Sequence, residues 1–192
     1  MTRALLIVDV QPTFCEGGEL PVAGGHLVAE RIAEFLDHHR AEYALVVTSQ
    51  DWHSDPDGHF SENPDYATSW PPHGVVGTPN AELHPALVHA LGEQGADVTI
   101  KKGLYSAAYS AFEGHDEHGQ PLAAVLASAG IDAVDVCGIA ESHCVRETAL
   151  DALGSGFAVR LLTDLTVPVT EQGGIEARAA VAAAGGELAV SR

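Results

Sequence analysis

Short apolar runs alternate with stretches of helical spacing along this chain, and that alternation confines it to very few folds. The runs at residues 4–10, 43–49, 97–100, 134–139, 157–164 and 187–190 are compact and largely apolar. Near-continuous hydrophobic runs of this kind suit strands buried on both faces. Between them, Leu27, Val28, Ile32, Phe35 and Leu36 recur at helical spacing, and Pro85 opens a short helix reaching about Leu91. Further helices are predicted over 121–129, closed by Gly130, from Cys144 to about 154–156, and over 171–184, stopped by Gly185 and Gly186. Strands alternating with helices dictate a parallel sheet with right-handed crossovers. The expected architecture is α/β: a three-layer αβα, doubly wound six-stranded parallel sheet, as a single domain over 1–192.

The 192 residues suffice for one such core, and an apolar share of 46% argues against disorder. With 27 acidic and 9 basic side chains the formal net charge is −18, so a basic footprint for nucleic acid or an anionic membrane is absent. No apolar run approaches the length of a membrane span, and Asp9 cuts the first run too soon for a secretory signal. Cys15, Cys137 and Cys144 are odd in number and lack CxxC spacing, which fits a reducing cytoplasm. No sequence feature marks an interface, so a monomer and a small homo-oligomer both fit.

In doubly wound sheets the ligand crevice lies outside the carboxyl ends of the strands. Asp9 closes the first run, Asp51 follows the second, Lys102 the third and Cys144 the fourth. Taken alone, Cys144 reads equally well as a small buried hydrophobe or as a nucleophile. The gathering of four reactive side chains at one sheet edge favours the nucleophile. Ser142 is expected to cap the helix that follows, placing Cys144 in its first turn, where the macrodipole lowers a thiol's pKa. Asp9 is the candidate base, and Lys102 the charge that stabilises both anions. The chain's only lysines are Lys101 and Lys102, so a lysine at a strand end is not routine surface decoration.

The long loop over 52–85 adds a second constellation. Asp51, His53, His59 and His73 provide one carboxylate and three imidazoles, a mixed set suited to Zn²⁺, Fe²⁺ or Mn²⁺. Glu62 and Asp65 are the reserve ligands. Asp55, Asp57, His26, His38, His39, His84, His89, His115 and His118 have no comparable partners and are read as surface. Phe14, Trp70 and Tyr109, from three loops at the same edge, are positioned to form a slot for a flat ring.

Several phrases together resemble the isochorismatase-like cysteine hydrolase superfamily, in its nicotinamidase/pyrazinamidase branch. They are Val8-Asp9-Val10-Gln11-Pro12-Thr13-Phe14 with Cys15-Glu16-Gly17-Gly18, Asp51-Trp52-His53, His59-Phe60, Ser69-Trp70-Pro71-Pro72-His73, Lys102-Gly103, Tyr109-Ser110-Ala111-Phe112, and Gly138-Ile139-Ala140 leading to His143-Cys144-Val145. They run in order over nearly the whole chain. The resemblance implies an Asp9–Lys102–Cys144 triad and one divalent metal on Asp51, His53, His59 and His73. It also implies an oxyanion hole from the backbone N–H groups of Ala140 and Cys144, and a cis peptide before Ala140. A pyridine ring would be held by Phe14, Trp70, Tyr109, Ala140 and His143. The implied activity is hydrolysis of nicotinamide, and of pyrazinamide, through a cysteine thioester in NAD salvage. The alternatives are another small-amide hydrolase of the superfamily and, less favoured, a non-catalytic metal or redox module. Relatives usually carry Thr-Asp where this chain has Glu141-Ser142, and Glu141 is expected to place a negative charge near the thiolate. The family's lysine immediately precedes glycine, which selects Lys102 over Lys101.

Overall fold

A computed structural model describes residues 1–191 apart from Asp55 and Asp57; those two, read above as surface, lie outside the described residues. The strands are β1 (Arg3–Val8), β2 (Leu45–Asp51), β3 (Val98–Lys102), β4 (Ala133–Ile139), β5 (Ala158–Val167) and β6 (Glu187–Ala189). The helices are α1 (Gly25–His39), α2 (Pro85–Leu91), α3 (Leu122–Ser128), α4 (Arg146–Gly154) and α5 (Glu171–Ala183). The six strands form one sheet in the order β3-β2-β1-β4-β5-β6, and every pairing is parallel.

Period-two alternation divides the core between the two faces of this sheet. Leu5 and Ile7 of β1 pack with Val28, Ile32 and Leu36 of α1 and with Leu87 and Leu91 of α2. Ala4, Leu6 and Val8 face the other way, against Leu122 and Leu126 of α3, Ala149 and Ala152 of α4, and Val181 of α5. Winding outward from β1 puts α1 and α2 on one face, whereas winding outward from β4 puts α4 and α5 on the other. The order therefore reverses between β1 and β4, the place where such sheets open a crevice.

The strand ends differ from those expected, for reasons of pairing. β2 runs on through Gln50 and Asp51, because Asp51 stays in register with Lys102 of β3. β1 stops at Val8, since Asp9 takes a left-handed φ of 49°. β5 extends to Val167, carried past a register shift by pairing with Gly138 and Ile139. The larger departure follows β4. Residues Glu141–Val145 form one wide π turn, with the Val145 N–H donating to Ala140 O at 3.2 Å, and the α-helix begins only at Arg146. Ser142 therefore lies inside the turn and caps nothing. Its hydroxyl instead accepts from the Val169 N–H at 3.2 Å.

Candidate active site

Asp9 emerges from β1 and the turn carrying Cys144 emerges from the adjacent β4, at the reversal of the strand order. The close approach depends on Gly138, which pairs with Val8; a Cβ on Gly138 would stand 2.0 Å from Val8 O. The Ile139–Ala140 peptide that follows is cis. The left-handed backbone of Asp9 turns its carboxylate across the strand ends, where Ser49 of β2 donates to Oδ1 at 2.7 Å.

Lys102, wholly buried at the end of β3, reaches into the middle of this edge. Its Nζ lies 2.9 Å from Asp9 Oδ2 and 3.8 Å from Cys144 Sγ, and donates to Asp51 Oδ1 and, at 3.1 Å, to the carbonyl of Ala108. The contact with Asp9 is an ion pair, and among the described residues Oδ2 has no hydrogen-bond partner. Lys101 points to the opposite side, its ammonium 3.3 Å from the centre of the Trp52 ring. Gln11 clamps the end of β2: its amide donates to Asp51 O at 3.0 Å and Ala81 O at 2.6 Å, while its oxygen accepts from the Asp51 N–H at 2.9 Å.

Burial governs the protonation of these groups. It raises Asp9 above its ordinary 3.8, against the pull of Lys102. Burial would also raise Asp51, but Lys102 and the adjoining imidazoles of His53 and His73 hold it well below 3.8. Lys102 loses by desolvation and gains more from Asp51, Asp9 and Cys144, so it stays charged. Cys144 departs from expectation. Burial pushes its thiol well above 9.0, Asp9 and Asp51 push it further, and Lys102 alone draws it down. The resting sulfur is therefore a thiol beside a base, and its position in a wide turn does not offset burial. Glu141 does not add its charge to this group. Wholly buried, it takes both oxygens to Arg178 of α5, at 2.9 and 2.7 Å.

Asp51 links this cluster to the imidazoles. While Oδ1 holds Lys102, Oδ2 lies 3.5 Å from Nε2 of both His53 and His73. The long loop supplies those rings by folding back through the His53–Val75 and Phe60–Trp70 bridges. His53 Nδ1 donates to Gly103 O at 2.5 Å and His73 Nδ1 donates to Pro71 O at 2.7 Å. Each bond fixes the tautomer and leaves the Nε2 lone pair free, the arrangement of a metal-ligating histidine. Among the described residues, His53 Nε2 and His59 Nδ1 are buried without partners. Burial and the neighbouring rings push His59 down to about 4, which keeps it neutral. His53, His59 and His73 have the mutual spacing of metal ligands, and with Asp51 they suit a borderline divalent cation. Glu62 stays exposed, and Asp65 is engaged by the N–H groups of Ala67, Thr68 and Ser69, so neither joins the set.

A cavity of about 450 Å³ opens over both clusters, with Phe14, Trp70, Tyr109, Ala140, His143 and Cys144 in its lining. Phe14 packs on His73 at 5.7 Å, Tyr109 stacks on His143 at 6.3 Å, and Trp70 Nε1 donates to the Tyr109 hydroxyl at 3.1 Å. All the residues expected at the edge are thus brought together. Gln11, Ser49 and Arg178 support it without having been singled out. Gln11 lies within a motif phrase, whereas Ser49 and Arg178 carry no local signal. Of the histidines read as surface, His84 is buried and pairs with His26. His39 is half-buried, stacked on Phe35 at 4.6 Å. The other four are exposed, as is His26.

The isochorismatase domain family matches residues 3–189. The nicotinamidase/pyrazinamidase of Mycobacterium tuberculosis is 51% identical over 168 residues, covering 88% of each chain. The pyrazinamidase of Pyrococcus horikoshii, solved in complex with zinc, superposes with a TM-score of 0.83 at 34% identity, covering 99% of both chains. PnC1 of L. infantum, solved with nicotinate, gives a TM-score of 0.83 at 36% identity, covering 99% of this chain and 93% of that one.

Proposed function

The chain belongs to the isochorismatase domain family, and from that premise we propose that it is a nicotinamidase. It hydrolyses nicotinamide, and pyrazinamide, to the ring carboxylic acid and ammonia, in NAD salvage. A single hydrolase domain over 1–192 carries the activity, in the cytoplasm, as a monomer or small homo-oligomer. The observation that supports it most is the convergence of Asp9, Lys102 and Cys144 beneath an aromatic-lined cavity, beside a set of one carboxylate and three imidazoles.

The chemistry starts from a neutral thiol. Asp9 takes the Cys144 proton as the sulfur attacks the amide carbonyl, and Lys102 stabilises the charge shared between them. The backbone N–H groups of Ala140 and Cys144 receive the oxyanion. The C–N bond breaks as Asp9 delivers its proton to the departing nitrogen, and ammonia leaves a thioester on Cys144. Asp9 then deprotonates a water that attacks the thioester, and returns the proton to sulfur as the acid departs. The raised pKa of Asp9 fits this dual task, because it accepts a proton more readily than an ordinary aspartate and can still release it. Phe14, Trp70, Tyr109 and His143 hold the flat ring so that its amide faces Cys144. Asp51, His53, His59 and His73 would hold one divalent ion, Zn²⁺, Fe²⁺ or Mn²⁺, which supplies a Lewis-acid anchor for a ring nitrogen.

Ammonia release from nicotinamide is the test. Cys144→Ala is expected to lower kcat by about 10³-fold or more while leaving the fold intact. Turnover surviving in that variant removes the nucleophile. Turnover of other small amides but not of nicotinamide by the wild type would move the chain to a different amidase within the family.

A further inference from the structure

Behind the Phe14 wall of the cavity sits a second group of potential ligands that the amidase chemistry does not use. Cys15, wholly buried, ends the turn after β1; His26 is the second residue of α1; His84 precedes α2. The sulfur and one nitrogen of each ring all lie within 4.8 Å of one another. His26 Nδ1 and His84 Nε2 are 2.9 Å apart. Tetrahedral ligation at ordinary Zn–N and Zn–S lengths spaces such atoms by roughly 3.3–3.6 Å. The rings need to part slightly and the sulfur to close in, without any change of fold.

We propose that Cys15, His26 and His84 form a second metal site, selective for a borderline-soft divalent cation such as Zn²⁺ and distinct from the set on Asp51. One thiolate and two imidazoles are the donors such ions prefer, and the exposure of His26 leaves a fourth position for water. Without the cation, the protons follow from the hydrogen bonds. The Ala86 N–H donates to His84 Nδ1 at 3.2 Å, so in the neutral ring Nε2 carries the proton and donates to His26 Nδ1. The His26 Nε2–H in turn donates to Glu16 O at 3.0 Å. His26 already turns its Nδ1 lone pair inward, with its other nitrogen held by a backbone carbonyl, as in known metal sites. On binding, the His84 proton moves from Nε2 to Nδ1, giving up the Ala86 bond, and the Cys15 thiol releases its proton to solvent. That thiol now donates to Gln11 O at 3.4 Å and gives up this bond when it ligates the cation. The bound ion would tie the β1 loop to α1 and α2 directly behind Phe14, and so stiffen that wall of the cavity.

The thiolate-to-cobalt band reports on this site alone, because the Asp51 set contains no thiolate. Metal-stripped protein carrying Cys144→Ala keeps two thiols, Cys15 and the Cys137 enclosed in β4. Titration with Co²⁺ is expected to raise a near-ultraviolet thiolate-to-cobalt band with the amplitude of one thiolate bond per chain. Cys15→Ser should abolish it. Because that side chain is wholly buried, the decisive variant is His26→Ala, at an exposed position, which should weaken cobalt affinity by roughly tenfold or more. Absence of the band, or a band of unchanged affinity in His26→Ala, overturns the second site. Neither result depends on turnover, so failure here leaves the amidase assignment standing.

Discussion

Lys102 is the side chain whose removal would disturb this molecule most. Buried itself, it faces two carboxylates and a thiol. Lys102→Met would leave Asp9 and Asp51 buried without their counter-charge, and breaking such a pair costs roughly 3–5 kcal/mol. The expected result is loss of ammonia release together with a clear fall in Tm; a variant that melts like wild type would show that the charges are solvated. Glu141 makes the opposite case, a buried ion pair that does not repay its desolvation. Burial raises its pKa above the ordinary 4.5 in spite of Arg178. A carboxyl raised on folding binds its proton more tightly in the folded state, so its contribution is full below 4.5 and is lost as the pH rises through the folded value. Urea titrations should therefore show a decline in stability above pH 4.5 that Glu141→Gln lacks. An identical pH slope in the two proteins would refute this. At this scale the residue types were legible, since Asp9, Lys102 and Cys144 all stand out in the chain. Their charge states were not, because Arg178 neutralises Glu141 from far along the sequence.

The end of β4 is the element on which the site turns. Gly138 combines a φ of 123° with close backbone contact to Val8, so no side chain fits there. Gly138→Ala must separate β1 from β4 or distort the turn, at a cost of roughly 3 kcal/mol or more. Thermal melts should show it far less stable than a matched Gly154→Ala, where an added Cβ meets nothing within 4 Å. Equal Tm values would contradict the close approach. The strands and helices themselves were readable, because patterning at period 2 or 3.6 is a local property. The boundaries were displaced wherever a neighbouring strand continued the ladder, as at Asp51 and Val167. The π turn has no local signature: it packs against α5, where a Cβ added at Gly173 or Gly174 would stand about 3 Å from Ser142 or Glu141.

Across the whole molecule, the imidazole set fastens the long loop to the sheet edge. Asp51 belongs to β2, whereas His53, His59 and His73 belong to the loop that also supplies Trp70. If the Asp51 set holds an ion as proposed, a chelator should lower Tm and weaken nicotinamide binding together, and added Zn²⁺ should restore both in a concentration-dependent way. A chelated protein with unchanged Tm would place the ion elsewhere. Strand and helix order, the parallel sheet and the chemical types gathered at its carboxyl edge all follow from patterns read along the chain, since each rests on neighbours a few residues apart. Folding in three dimensions decided the rest: the thiol held neutral, Glu141 paired away from it, and His84 drawn inside beside Cys15. Those outcomes depend on desolvation and on charges brought close from distant segments, and neither exists until the layers pack.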